Sequence, residues 1–302
     1  MLKKVADIFE MARNIKPKKI VCIAADDEDV IDAIHDAIEL GMIEATLIGP
    51  MPRITEILLT HQYSMDHITI IDCDNYELGS EQAMRMVHSG RADIIMKGLV
   101  DTRIVLKAVV NKEYGIREAA ILNHVGLASF SHFNRVLFFT DGAMLIAPTV
   151  EERIQMIQNA VAFMRLLGYE EPKVGLVSAV EKVNPKMQST VDAASIVEQY
   201  QAGRIKGCIV DGPFAIDNLV SVASSVHKGI LSPVGGWCDL MVFPTIEAGN
   251  VFYKTIVHLA KADVAGIILG SKVPIVLTSR SDSRQAKLNS IVLSCLVSER
   301  KK

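Results

Sequence analysis

The strongest constraint on the fold is a cadence. Short runs of β-branched residues alternate with longer amphipathic stretches almost from one end of the chain to the other. Lys19–Ala24 (KIVCIA) is predicted as a buried strand, followed by a helix over Asp29–Leu40 that Gly41 stops. Ala45–Ile48 and His67–Ile71 are strand-like, and Gly79–Ser89 has helical period and ends at Gly90. The strand Asp93–Met96 leads into a helix over Thr102–Val110. Strands separated by helix-length segments need crossover connections, which gives a mostly parallel sheet with helices packed on it.

From Asn123 to Pro148 the texture changes. Val125–Phe130, Arg135–Phe139 and Ala143–Ile146 are β-rich pieces with turn residues between them, expected as antiparallel or crossing strands at a domain edge. Thr149, with Glu152 three residues on, forms a capping box that opens a helix over Glu151–Leu167. A second series follows: strand Lys173–Ser178, helix Gln188–Gln201, strand Gly207–Val210, helix Ala215–Ser225, strand Leu240–Phe243 and helix Ala248–Ala260. Strands Val264–Leu269 and Pro274–Leu277 and a helix over Gln285–Val297 complete it. The sequence shows no internal repeat and no low-complexity linker, so the join near Pro148 is tight. With 302 residues there is enough chain for two α/β domains, each with its own core, sharing a cleft.

Composition narrows the function classes. A formal net charge of −3 argues against a broad nucleic-acid surface, which needs a basic excess, while a local anion pocket remains compatible. Five scattered cysteines without CxxC spacing read as reduced thiols of a cytoplasmic protein, not as a disulfide framework or a zinc site. The first nineteen residues carry charges throughout and lack the apolar core of a signal peptide. Val264–Leu269, among the longest apolar runs, is far short of the ~20 residues a membrane span needs. There is no GxGxxG, GxxxxGK[ST], GxSxG or HExxH, which removes the common dinucleotide, P-loop, serine hydrolase and zinc protease readings.

Polar residues gather instead where predicted strands end, the place where open α/β sheets bind ligands. Pro274–Leu277 runs into Thr278-Ser279-Arg280-Ser281-Asp282-Ser283-Arg284 just before a helix start, which favours an anion, and Arg matches phosphate or carboxylate oxygens in pairs. One of Ser281, Asp282 and Ser283 could equally serve as that helix's N-cap. Lys97-Gly98 and Thr102 follow the strand Asp93–Met96, with Asp101 or Thr102 open as a cap and Gly98 allowing close backbone approach to a ligand. Val210-Asp211-Gly212-Pro213, Glu247 to Asn250, and Asn184-Pro185-Lys186 occupy corresponding positions in the second half. Several such segments on one doubly wound pattern point to a shared crevice.

MKGLVDT (Met96–Thr102), VDGP (Val210–Pro213), FPTIEAGNVFYK (Phe243–Lys254) and LTSRSDS (Leu277–Ser283) together resemble the phosphate acyltransferase family. The MKGLV wording, Glu181–Met187 and SRSDS make the chain most similar to the phosphate butyryltransferase branch. The resemblance implies the reversible reaction butanoyl-CoA + phosphate to butanoyl phosphate + CoA, on short or branched acyl chains. Its partners would be acyl-CoA and inorganic phosphate, with coenzyme A as substrate, no tightly bound cofactor, no metal, no nucleic acid and no membrane. It also implies a fold like that of isocitrate and isopropylmalate dehydrogenases, with the site in the interdomain cleft, and a homodimer or higher homo-oligomer. The chain would then return to its first domain at the end, giving 1–147 with 284–302 and 148–283.

Residue by residue, the resemblance has Arg280 gripping the phosphoryl group and Ser279 donating to the developing oxyanion. Acetyl-transferring relatives carry an Asp seven residues after the serine; Ala286 stands there, so Asp282 is the expected substitute as general base. Lys107, ahead of Arg103, matches the family's cation on the helix after the first turn. Lys97, Thr102, Arg135, Asn184, Lys186, Asp211 and Asn250 complete the expected substrate contacts. Three other readings are a phosphate acetyltransferase, a nicotinamide-dependent relative on the same fold, and a non-catalytic acyl-CoA-binding or regulatory module. The second needs a metal-binding carboxylate cluster that no single motif supplies.

Overall fold

The computed structural model describes residues 1–279 and 281–300. In chain order its elements are α1 (Asp7–Ala12), β1 (Lys18–Ile23), α2 (Glu28–Glu39), β2 (Ile43–Gly49), α3 (Met51–Thr60), β3 (Ile68–Asp72), α4 (Tyr76–His88), β4 (Ile94–Lys97) and α5 (Thr102–Val109). Then come β5 (Asn123–Phe130), β6 (Phe133–Thr140), α6 (Val150–Leu166), β7 (Lys173–Val177), α7 (Gln188–Gln201), β8 (Ile209–Phe214), α8 (Ile216–Val220) and α9 (Val222–His227). Last are β9 (Leu240–Val242), α10 (Ile246–His258), β10 (Asp263–Leu269), β11 (Ile275–Val276) and α11 (Arg284–Arg300). The α/β class expected from the cadence is the one observed.

The chain divides into two compact units, a terminal one of Ala6–Ala120 with Val264–Lys302 and a central one of Met1–Val5 with Ile121–Asp263. These bounds differ from the expected 1–147 with 284–302 and 148–283. β5 and β6 pair with each other and β6 with β9, which keeps 121–147 with the central segment. β11 pairs with β4, which keeps 264–283 with the terminal one.

In the terminal unit the strands run β3-β2-β1-β4-β11-β10. All neighbours are parallel except β10 and β11, which are antiparallel. Their connection, 270–274, is too short for the crossover that a parallel pair requires. β1 and β4 are almost wholly buried, as parallel strands covered on both faces must be. α11 packs on α1 and α2 and on strands β4 and β11. It is buried at every position from Ala286 to Ser298, so its serines and Asn289 find acceptors close at hand, Asn289 on the Val264 carbonyl and Ser290 on that of Ala286. Each fully buried Ile, Leu or Val of this core, such as Ile23, Ile95, Ile275 and Leu293, contributes about 1.5–3 kcal/mol.

In the central unit the order is β5-β6-β9-β7-β8, parallel throughout except for the β5–β6 pair. The capping box at Thr149 and Glu152 forms as predicted and starts α6. Three expectations change. Ala143–Ile146 is not a strand, because the Asp141 carboxylate takes the N–H groups of Ala143 and Met144 that a ladder would need. Ala215–Ser225 breaks into α8 and α9 at Ser221, whose extended backbone lets its hydroxyl cap α9 at Ser224. β8 runs on through Asp211 to Phe214 across a register shift against β7.

Among the described residues, no helix is long and apolar enough to cross a membrane.

Candidate active site

Three parallel strands of the terminal unit, β1, β4 and β11, end side by side, and their carboxyl ends form the floor of the site. β4 finishes on Lys97, aligned with Ile23 of β1. The chain then turns sharply: Gly98 N–H donates to the Ile23 carbonyl at 2.8 Å and Leu99 N–H to the Ala24 carbonyl at 2.8 Å. A Cβ at Gly98 would lie 2.0 Å from the Ala24 oxygen. The glycine therefore admits the neighbouring main chain, where the sequence suggested a ligand. Ala24 itself sits at φ 56°, a left-handed conformation costly for a residue with a Cβ.

Lys97 is only 5% exposed. Its ammonium donates to the carbonyls of Gly98 at 2.9 Å and Val100 at 3.1 Å, which fixes the charge under the turn. Asp101 caps α5 by accepting from Arg103 N–H at 2.8 Å, and this leaves Thr102, half-buried, as the first helical residue. Lys107 is exposed in the last turn of that helix, and Arg103 is exposed in the first.

Beyond β11 the side chains take over from the main chain. Asp282, 4% exposed, folds its carboxylate back to accept Ser279 N–H at 2.7 Å, and its own N–H returns to the Ser279 carbonyl at 3.1 Å. Ser279 Oγ lies 3.1 Å from Ser281 Oγ. The cap of α11 is Ser283, whose hydroxyl accepts Ala286 N–H at 3.2 Å; Asp282 is thus not spent on capping. Arg280 lies outside the described residues. Arg284 fastens the start of α11 to α2 through Asp36 and Asp32, and the hydrogen bond to Asp36 pushes its guanidinium further up.

A small cavity here is lined by Asp27, Lys97, Gly98, Thr278, Ser279 and Lys287. Lys97 and Ser279, singled out from sequence, are thus brought together, and Asp282 stands directly beside Ser279. Lys287 and Asp27 were not foreseen. Asp27 caps α2 through Val30 N–H at 3.0 Å, and a lysine three residues into a helix ordinarily reads as a solvated charge. The run after it, Leu288 to Val297, carries no charge and only one amide, Asn289, and is the available signal that this helix is buried all round.

The remaining candidates lie in the central unit. Asp211 sits within β8, not after it, and accepts Gly212 N–H at 2.8 Å. Asn250, near the start of α10, donates to the Gly142 carbonyl at 3.0 Å. Gly249 lies against Asp141 and Gly142 so closely that a Cβ there would meet the Asp141 oxygen at 2.0 Å. Asn184 organises its own loop, accepting Lys186 N–H at 3.0 Å and donating its N–H to Thr190 Oγ1 at 2.9 Å; both Asn184 and Lys186 are exposed. Arg135 is the third residue of β6, in the half of that strand away from Thr140. Its guanidinium donates to the Gly236 carbonyl and lies over the rings of Phe133 and Trp237, and burial pulls its proton affinity down.

The family model for Phosphate acetyl/butaryl transferase matches residues 78–295. A phosphate butyryltransferase of Clostridium beijerinckii is 38% identical over 302 residues, all of both chains. A phosphate acetyltransferase of Thermotoga maritima is 43% identical over 289 residues, 96% of this chain and 98% of that one. Among solved structures, a branched-chain phosphotransacylase from Enterococcus faecalis superposes with a TM-score of 0.83 at 28% identity, covering 93% of this chain and 99% of the other. The match takes in β4, the Ser279–Ser283 segment and most of α11, and on that ground the chain belongs to the phosphate acetyl/butyryl transferase family.

Proposed function

We propose that the chain transfers a short or branched acyl group reversibly between coenzyme A and inorganic phosphate, with butanoyl-CoA + phosphate to butanoyl phosphate + CoA as the representative reaction. One observation carries this reading: Ser279 stands on a pinned turn at the carboxyl end of β11, sharing a cavity with the buried ammonium of Lys97. Family membership supplies the reaction class.

The chemistry makes three demands. Phosphate must be held beside a thioester, which converging cationic and hydroxyl donors achieve. Its oxygen attacks the carbonyl carbon and builds a tetrahedral oxyanion, which needs donors already in place. The carbon–sulfur bond then breaks and CoA leaves, to be protonated as a thiol. In this proposal Ser279 Oγ donates to the oxyanion and Arg280 holds the phosphoryl oxygens, while Lys97 adds fixed positive potential. In the reverse direction the CoA thiol, with a pKa of about 8.5, benefits from a base, and Asp282 is the proposed acceptor. Thr102, Lys107, Asn184, Lys186, Asp211, Asn250 and Arg135 stand as further proposed substrate contacts. A cytoplasmic homo-oligomer with no tightly bound cofactor completes the reading, consistent with the five free cysteines.

The test is phosphate-dependent release of free thiol from acetyl-, butanoyl- and branched acyl-CoA by the purified protein. Release is expected with butanoyl- or branched acyl-CoA preferred over acetyl-CoA. A preference for acetyl-CoA would move the chain to the acetyl branch. No release from any of the three would leave the non-catalytic reading in its place.

A further inference from the structure

We infer that Lys287 is a positioning residue that holds Asp282, and through it Ser279, in working geometry. The inference deepens the acyl-transfer reading and rests on it for its catalytic meaning.

Lys287 is 2% exposed and is the one charged residue from Ala286 to Ser298 of a helix buried throughout that stretch. An ammonium in such a place is costly, because burial disfavours the charged form and its donors must be met. Packing alone would favour Leu or Met here, since buried charges are often replaced by apolar residues with no loss of stability. What the ammonium does meet is specific. It donates to the main-chain carbonyl of Asp282 at 2.5 Å and stands 3.7 Å from the Asp29 carboxylate, itself largely exposed.

The position of the Asp282 carbonyl gives this contact its consequence. Asp282 is the residue whose side chain and N–H clamp Ser279. Lys287 therefore grips the clamp from below, from a helix that is itself seated on β4 and β11. A turn closed only by its own carboxylate could open with the rest of the loop. A turn tied in addition to a buried helix cannot open without stranding a buried ammonium. Lys287 also lines the same cavity as Ser279 and Lys97, and Asp282 alone stands between its tether and Ser279.

Two variants and two readouts test this. Lys287→Met removes the donor and keeps the bulk; Lys287→Gln keeps a shorter donor without the charge. Backbone hydrogen exchange at Ser279 and Asp282 reads the tether independently of activity. It is expected to speed up about tenfold or more in Lys287→Met while the thermal midpoint holds or rises. In the thiol-release assay, kcat is expected to fall about tenfold or more in Lys287→Met with KM for acyl-CoA and for phosphate within about threefold, and about threefold or more in Lys287→Gln. Unchanged exchange at Ser279 and Asp282 overturns the inference, whatever the activity. Unchanged kcat overturns it as well, and so does a loss confined to KM for phosphate, which would make Lys287 a substrate contact. If Lys287→Met fails to fold, the same thresholds for exchange and kcat apply to Lys287→Gln. An inactive wild-type protein would count against the acyl-transfer reading alone, since the exchange measurement still decides the tether.

Discussion

Two neighbouring strand ends in the terminal unit solve the same problem by different means. After β4 the turn is held by main chain: Gly98 and Leu99 bond the carbonyls of Ile23 and Ala24, and even Lys97 spends its ammonium on two carbonyls. After β11 one main-chain bond, Asp282 N–H to the Ser279 carbonyl, is joined by four side chains: the Asp282 carboxylate, the Ser283 hydroxyl, the Arg284 guanidinium and the Lys287 ammonium. A turn closed by backbone tolerates only a residue small enough to fit, and its sequence is dictated by space. A turn closed by side chains can be retuned one residue at a time, and Ser279, the proposed oxyanion donor, sits on that kind. In the proposed reaction the first end supplies a rigid floor and fixed charge, and the second the reacting groups.

The contrast predicts different failures. The largest effect is expected at Asp282. Asn in its place can still accept Ser279 N–H but cannot take a proton, so kcat in the acyl phosphate plus CoA direction should fall about 10²-fold or more with the thermal midpoint nearly unchanged. If Asp282→Asn keeps near-normal kcat while Asp282→Ala loses it, the carboxylate serves the turn alone. Next is Gly98→Ala, whose new methyl would lie 2.0 Å from the Ala24 oxygen. It should cost about 3 kcal/mol and lower the midpoint by roughly 5–10 °C, seen by calorimetry; a change under 1 °C would mean that the main-chain floor yields freely.

Arg284→Ala should do less. Its partly exposed ion pairs are worth about 1 kcal/mol or less, and raising the salt concentration should shrink the difference from wild type. Smallest is Ala24→Gly, which should stabilise by about 0.5–1 kcal/mol as relief of left-handed strain outweighs the added chain entropy. Destabilisation there would show that the strain at Ala24 is not what the main-chain turn costs.

Much of this was legible in the sequence, for reasons that differ by element. β1, β4 and β7 are apolar runs bounded by turn residues, and parallel strands buried on both faces leave that signature. The box at Thr149 and Glu152 is purely local and formed as expected. Ser279 and Lys97, which line one cavity, stand out in the sequence because ligands gather at carboxyl ends of strands, a rule of topology that needs only the cadence. What escaped had either a local interruption of the pattern or partners distant in sequence. α3 opens with Pro52 inside its first turn, which is allowed there but interrupts the pattern. Gly98 was read as making room for a ligand because nothing in its neighbourhood names Ala24. The burial of Lys287 depends on α1, α2, β4 and β11 closing around α11, and in the local sequence only the charge-free run after it hints at that.

The claim that the segment after β11 carries acyl transfer is tested most directly by Arg280→Ala in the phosphate-dependent thiol-release assay with butanoyl-CoA. The account predicts a fall in kcat/KM of about 10²-fold or more, with the thermal midpoint held. A kcat/KM within about threefold of wild type in a folded Arg280→Ala protein would contradict it.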